Sequence, residues 1–314
     1  MSAPADSYQA LFERRWGHLR RPHVRTLAWL LDAPDLLDPQ HPHWEQKIAS
    51  LGEADTGVAA WLARLDADPS ALDAALGERA YTRIGLYAEK LMAFYFRERG
   101  QLVAHGLQVR GAGNGSGTVG EFDFLLDAGP GGVEHIEFAT KFYLLEGESA
   151  SRFDTFVGPN LADSLGAKMR KIFSKQLELG TRPEAKAQLP LPVLRARALV
   201  KGWLFYPVGV HAHMGGISAT HCNGFWCSLA EVPALAGERF VVLPRMQWLA
   251  PYRGEGAEVV LDREGLCEAL GGADMPALVA VVKAEGATEI ETSRGFIVPD
   301  NWRARAATRL QATA

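Results

Sequence analysis

Apolar residues recur at helical spacing through the first quarter of the chain. Leu11, Trp16 and Leu19 fall on one helical face, and a second helical run ends at the breaker Ala33-Pro34. Asp55 stands directly before the segment TGVAAWLARL, where its side chain is placed to cap a helix. Residues 1–78 are therefore predicted to form an N-terminal helical lobe.

The pattern changes beyond residue 79. A long helix of about 80–99 ends at Gly100 and precedes three predicted strands, QLVAHGLQV, VGEFDFLL and VEHIEFATKFYLL, the first two joined by the glycine-rich GAGNGSG. A second long helix of about 161–179 ends at Gly180, and LRARALVKGWLFYP predicts a fourth strand. This order predicts an α/β core over 79–207, with a mixed central sheet and helices packed on it. Residues 208–314 are predicted to be a C-terminal α+β extension packed on that core.

Two carboxylates stand out within these strands. Because side chains alternate between the faces of a strand, Asp123 shares one face with Glu121 and Leu125, while Phe122 and Phe124 share the other. Glu137 and Lys141 likewise share a face of the next strand, so a hairpin brings Asp123 and Glu137 to the same side. Acidic side chains in such apolar strands are costly to bury unless they are paired or bind a cation.

A simpler interpretation remains open for these carboxylates. Asp123 and Glu137 would then lie at strand ends, exposed to water or paired with Lys141. Glu89 has the same two interpretations, since it lies in the helical segment GLYAEKLMAFYF among apolar residues. It is either a third member of a metal site or a solvated glutamate paired with Arg97 or Lys90.

Three segments together resemble a known superfamily. They are GLYAEKLMAFYF, then GEFDFLLDAGPGGVEHIEFATKFYLL, then NLADSLGAKMRKIFSKQLELG followed by ALVKGWLFYP. Their order and content resemble the PD-(D/E)XK nuclease superfamily, and more closely a bacterial domain-of-unknown-function family placed in it. The resemblance implies a restriction-endonuclease-like core. It also implies catalytic roles for Glu89, Asp123, Glu137 and Gln176, with Asp123, Glu137 and Glu89 as metal ligands.

One position departs from the superfamily pattern. The usual motif places a lysine two residues after the second acid, where this chain has Ala139. Lys141 lies on the same strand face two residues further on, and it is the first candidate for the lysine's catalytic role. The alternative is that the role has moved to Lys168, Lys171 or Lys175 on the second helix.

Composition limits the range of partners. The 314-residue chain is 47% hydrophobic and carries a formal net charge of −4, so no overall basic field attracts polyanions. A nucleic-acid surface must therefore be local, and Lys168, Lys171 and Lys175 are the predicted contacts; the alternative is a solvated helix face. The sequence has three scattered cysteines, no apolar signal core at its start and no membrane-length apolar run. We expect a cytoplasmic location and no membrane partner.

The predicted function is a Mg²⁺-dependent (or Mn²⁺-dependent) phosphodiesterase that cleaves nucleic acid, DNA in preference to RNA. Two other interpretations stay open. One is a catalytically inactive protein of nuclease fold that binds a nucleic acid or a protein partner. The other is an interaction protein whose function lies in its N- or C-terminal additions.

Overall fold

The computed structural model describes residues 7–78, 80–111, 117–147, 152–210, 212–254 and 259–313. Five α-helices of the described residues precede the first strand, and the others lie between or after the later strands. The α-helices of this part are α1 (Tyr8–Trp16), α2 (Pro22–Asp32), α3 (Thr56–Ala67), α4 (Ser70–Leu76), α5 (Ile84–Glu98), α6 (Leu165–Lys171), α7 (Pro183–Lys186), α8 (Arg263–Leu270) and α9 (Trp302–Thr313). None of them is long and apolar enough to cross a membrane.

The strands of the described residues join one large mixed sheet. They are β1 (Leu102–Arg110), β2 (Thr118–Asp127), β3 (Val133–Leu145), β4 (Phe156–Val157), β5 (Val193–Pro207), β6 (Asn223–Ser228), β7 (Phe240–Val242), β8 (Arg253–Gly254), β9 (Ala277–Glu285) and β10 (Thr288–Val298). The main path runs β1-β2-β3-β5-β6-β10-β9-β7, with β4 beside β3 and β8 beside β10. The strands after residue 208 therefore extend the sheet that β1 to β5 begin.

Helices cover both faces of the sheet around β3. On one face, Phe138 and Phe142 join a large apolar cluster that also includes Leu91 on α5 and Leu27 on α2. On the other face, β3 and β5 pack against α6 in a second cluster. All but one of the 13 residues of β3 are buried, as expected for a central strand with both faces covered. Any charged group on β3 is thus held in a largely apolar setting.

The predicted elements of the central region agree with the structure, except for the second long helix. That helix was expected over about 161–179, but α6 begins only at Leu165, after Ser164 accepts a hydrogen bond from the backbone N–H of Ala167 at 3.1 Å. Leu161 has a left-handed φ of 58°, which does not continue a helix. After α6 the chain passes into a π-helical turn, Ile172–Gln176. The predicted connection GAGNGSG falls mainly on residues 112–116, outside the described part of the chain.

Asp55 caps α3 as its position in the sequence predicts. Its carboxylate accepts a hydrogen bond from the backbone N–H of Val58 at 2.8 Å. Asp55→Ala is expected to lower the free energy of unfolding by about 1 kcal/mol, because the first turn of α3 then has an unsatisfied N–H. Urea denaturation measures this change. Glu53→Ala is the control, since the Glu53 side chain is 92% exposed; equal losses in both variants would contradict a capping role.

Candidate active site

The candidate site lies where strands β2 and β3 separate. The two strands pair from Asp127 opposite Val133 as far as Phe124 opposite Ile136, and β3 then continues without β2, beside β5 and, at its end, β4. Asp123, the next residue of β2, places its side chain where the ladder ends: its Oδ2 accepts a hydrogen bond from the backbone N–H of Phe138 at 2.8 Å. We call this position the strand fork, defined by Asp123 on β2 and by Glu137 and Phe138 on β3.

The side chains on either side of Asp123 in β2 do not follow the regular alternation of a strand. Phe122 and Phe124 were expected on one face, and that expectation is wrong: Phe124 packs against Phe96 of α5, whereas Phe122 packs edge-on against His135 in a different cluster. On β1, Gly106 lies between the residues that pair with Phe122 and Phe124, and it has a left-handed φ of 63°. The alternation therefore breaks at Asp123 because the backbone twists out of the regular ladder.

Glu137 is almost fully enclosed beside Asp123. It is 1% exposed. Its Oε1 accepts a hydrogen bond from the side-chain amide of Gln176, at the end of the π-helical turn. Lys168 on α6 completes this group, with its Nζ 3.7 Å from Glu137 Oε1 and 3.2 Å from Gln176 Oε1. Glu137 Oε2 is buried without a hydrogen-bond partner among the described residues, so one carboxylate oxygen remains available to a ligand.

Burial and mutual repulsion make it unfavourable for Asp123 and Glu137 to be ionised at the same time. Burial, followed by the negative charge of Asp123, raises the pKa of Glu137 to about 8. Burial also raises the pKa of Asp123 to about 6, with a further contribution from the charge of Glu89 and an opposing one from the Phe138 hydrogen bond. Burial lowers the pKa of the Lys168 ammonium, although Glu137 partly offsets this effect. One enclosed ammonium does not balance two enclosed carboxylates, so the site favours an additional positive charge.

Glu89 approaches the strand fork from α5 but has its own partner. Its Oε1 lies 2.7 Å from Nε2 of His105 on β1, and its charge reaches Asp123, whose pKa it raises. Neither Arg97 nor Lys90, the partners considered for it from the sequence, forms an ion pair with Glu89 among the described contacts. Glu89 is therefore close enough to Asp123 for their charges to interact, while His105 contacts its Oε1.

Lys141 forms its ion pair with a different carboxylate, although its charge also acts on Lys168. Its Nζ lies 3.5 Å from Oδ2 of Asp163, which also accepts a hydrogen bond from the Tyr143 hydroxyl at 3.0 Å. Ala139, at the usual lysine position, is buried. The lysine nearest to Glu137 is thus Lys168, a residue assigned from the sequence chiefly to nucleic-acid binding.

The other two predicted nucleic-acid contacts lie on the solvent side of this helical segment. Lys171 and Lys175 are both exposed. The charge of Lys171 reaches the site, where it opposes the rise in the pKa of Glu137. Arg170 instead forms a two-fold ion pair with Asp154, at 2.8 and 2.9 Å. This segment therefore offers lysines both at the site and on the adjacent surface.

The donor set of the strand fork fits a hard divalent cation. Asp123 and Glu137 offer carboxylate oxygens, the ligands that Mg²⁺ and Mn²⁺ prefer, and one of these oxygens has no partner. The described residues contain no group of three or more His, Cys, Asp or Glu side chains arranged to hold a metal ion. Two carboxylates suffice for Mg²⁺, which keeps several water ligands.

Sequence reasoning missed two residues of this neighbourhood. His105 has no local signal, because the strand QLVAHGLQV identifies its face but not the helix that packs on it. Asp163 follows the segment VGPN and looked like part of a helix, whereas it precedes α6 and faces Lys141. Both contacts depend on packing between elements distant in sequence.

The fold and site together define an α/β protein with a mixed sheet and a pair of buried carboxylates at a strand fork. A family model described as a domain of unknown function, DUF1853, matches residues 25–298. The chain belongs to this DUF1853 family. No curated protein and no solved structure matches it.

Proposed function

We propose that the chain is a metal-dependent nuclease of the PD-(D/E)XK type. The observation that carries the proposal is the pair of buried carboxylates, Asp123 and Glu137. Their pKa values are raised, and among the described residues the one ammonium in an ion pair with Glu137 is that of Lys168. Such a pair is costly for folding, and it is the arrangement that a divalent cation would stabilise.

The order of elements around the site supports the same proposal. Helix α5 is followed by the antiparallel strands β1, β2 and β3, then by α6, and then by β5, which runs parallel to β3; the two-residue β4 precedes α6 and the four-residue α7 precedes β5. A helix, three strands, a helix and a strand is the order that the resemblance to restriction-endonuclease-like nucleases implies. The carboxylates lie on the second and third of these strands, as in the motif.

Each side chain then has a distinct role. Asp123 and Glu137 would hold the cation, and Gln176 orients Glu137 through its amide hydrogen bond. Glu89 holds His105 and adds negative charge beside Asp123. Lys168 is placed to donate to a phosphate oxygen or to an attacking water molecule, while exposed Lys171 and Lys175 would contact the phosphate backbone. A bound Mg²⁺ or Mn²⁺ would lower the pKa of water and stabilise the negative charge that develops on the phosphate.

The direct test is cleavage by the purified full-length chain. Supercoiled DNA, linear double-stranded DNA, single-stranded DNA and RNA are incubated with Mg²⁺, with Mn²⁺, or with a chelator. We expect cleavage of at least one substrate, DNA in preference to RNA, only when a divalent cation is present. Absence of cleavage on all four substrates, or cleavage that persists in the chelator, would refute the proposed activity.

Replacing Lys168 and replacing Lys141 are expected to lower the cleavage rate to different extents in the same assay. Lys168→Ala is expected to reduce the turnover number about 100-fold, because it removes the ammonium closest to Glu137. Lys141→Ala is expected to reduce it less than about fivefold, since Lys141 pairs with Asp163 at the margin of the site. Lys186→Ala, at an exposed position of α7, is the control. A larger loss in Lys141→Ala than in Lys168→Ala would show that the strand lysine keeps the catalytic role.

One observation favours a second candidate function, a nuclease-fold protein that binds nucleic acid without cutting it. Ala139 replaces the usual lysine, and Lys141 pairs with Asp163 rather than with Glu137. Fluorescence anisotropy with labelled DNA and RNA distinguishes the two functions. Binding that needs no divalent cation, together with no cleavage in any condition, would support the second function.

A further inference from the structure

A cleft of about 710 Å³ opens on the side of α5 away from the strand fork. Tyr87 of α5 lines this cleft, whereas Glu89, two residues later, faces His105 and the candidate active site. Two residues correspond to about 200° around a helix, so α5 separates the two places. The volume is in the range of small-molecule sites.

The walls of the cleft contain aromatic rings and aliphatic side chains. Tyr81 and Tyr87 lie with ring centroids 5.5 Å apart, and Tyr87 shares a hydrogen bond of 2.7 Å with Nδ1 of His23. Met246 and Ala250, from the segment between β7 and β8, also line the cleft. These groups fit a ligand with a flat apolar body.

Two arginines on the same cleft share a single carboxylate. Arg25 lies 3.3 Å from Oε2 of Glu13, and Arg253 forms an ion pair with Oε1 of the same residue. The three side chains are 6%, 12% and 18% exposed for Arg25, Arg253 and Glu13. The neighbouring buried pair, Glu291 with Arg294, is balanced in itself. Glu78 also lines the cleft, but it is exposed and forms no ion pair with either arginine among the described residues. The group around Glu13 thus keeps one surplus positive charge in a largely enclosed place, which is unfavourable without an anion.

Arg25 and Arg253 differ in the number of hydrogen bonds that they donate. Arg25 donates to the backbone carbonyls of Trp16, Leu19 and Pro251 in addition to Glu13, so its guanidinium is well bonded. Arg253 contacts Glu13 through Nη1, and its Nε is buried without a hydrogen-bond partner among the described residues. An unpaired buried N–H of a charged group costs more than a neutral one. Among the described residues the Arg253 guanidinium donates a single hydrogen bond, through Nη1, so it is the arginine of the cleft with donor capacity left for an anionic ligand.

We propose that this cleft binds a small organic anion with a flat apolar body, whose anionic head pairs with Arg253 and whose body lies against Tyr81 and Tyr87. The anionic head is a carboxylate or a phosphate, since both accept from a guanidinium. This site is independent of the strand fork and requires no divalent cation.

Isothermal titration calorimetry with the full-length chain tests the site, using phenyl phosphate, benzoate, inorganic phosphate and phenol as probes. We expect phenyl phosphate or benzoate to bind at one site per chain, and the tighter of the two identifies the anionic head. Inorganic phosphate, which lacks the body, and phenol, which lacks the charge, are each expected to bind at least about tenfold more weakly. Failure of both aromatic anions to bind, or equal binding of phenol, would overturn the proposal.

Two variants assign the binding to this cleft. Arg253→Gln is expected to weaken the aromatic anion about tenfold or more by removing the charged donor. Ala80→Trp is expected to abolish binding by filling the cleft from an exposed wall position, without altering the buried Glu13 group. Arg245→Gln, a nearby arginine that stacks on Trp248, is the matched control and should bind as the wild type does. Unchanged binding in Ala80→Trp would overturn the assignment even if Arg253→Gln folds poorly.

Discussion

Asp123→Asn and Glu137→Gln are each expected to lower cation-dependent cleavage at least about a thousandfold. Each variant removes one of the two carboxylates that would hold the cation, and a bound cation contributes several kcal/mol of stabilisation to a phosphoryl transition state. Both replacements keep the size of the side chain. Asparagine also keeps an oxygen that can accept from the Phe138 N–H, so the strand fork is preserved. Rates are measured at saturating substrate and cation.

Asp127→Asn is the matched control for this pair. Asp127 ends the same strand as Asp123, is exposed, and accepts a hydrogen bond from the Gly129 N–H, which asparagine also accepts. Its cleavage rate is expected to stay within about twofold of the wild type. Cleavage that survives both Asp123→Asn and Glu137→Gln would place the activity elsewhere in the chain or in a contaminant.

Stability should fall as the pH rises through the range in which Glu137 ionises. A glutamate titrates near pH 4.5 in the unfolded chain, whereas burial and Asp123 raise the pKa of Glu137 to about 8 in the folded protein. Between these values the folded state retains a proton that the unfolded state has released. The contribution of this bound proton to the free energy of unfolding is therefore fully present below pH 4.5 and is lost as the pH rises through 8. Between pH 5.5 and pH 8.5, without divalent cations, we expect the free energy of unfolding to drop by roughly 3 kcal/mol.

Urea denaturation of wild type and Glu137→Gln at both pH values measures this effect. His135 also contributes in this range, because a histidine titrates near pH 6.5 in the unfolded chain whereas burial lowers the pKa of His135 to about 4 in the folded protein, but this residue is common to both proteins. The variant should lose less than about half as much stability as the wild type and should be the more stable protein at pH 8.5. Parallel pH profiles would show that Glu137 does not carry the raised pKa.

Local patterns were sufficient to bring Asp123 and Glu137 together. Both lie on the two strands of one hairpin, and the pairing of these strands brings them close enough for their charges to interact, although the side-chain alternation breaks at Asp123. Their catalytic roles remain predictions. Such inferences succeed because strand periodicity and turn length act over few residues.

Contacts between distant elements could not be predicted in this way. The choice of Lys168 over Lys141 depends on how α6 packs on β3, and the pairing of Glu89 with His105 depends on how α5 packs on β1. The strand alternation failed at Phe122 for a related reason, because Asp123 bonds the backbone of the neighbouring strand and ends the regular ladder. The pairing of β10 with β6 in the extended sheet joins segments about 70 residues apart, for which no local signal exists.

Calorimetry in the absence of nucleic acid measures whether the two carboxylates bind a cation, and it does not require turnover. The affinity for Mn²⁺ is compared among four proteins: the wild type, Asp123→Asn, Glu137→Gln and Asp127→Asn. Wild type and Asp127→Asn should take up the ion at the same site with similar affinity, and each of the other two variants should bind it at least about tenfold more weakly. If the wild type takes up no Mn²⁺, or if neither Asp123→Asn nor Glu137→Gln changes the affinity, the two side chains do not form a cation site.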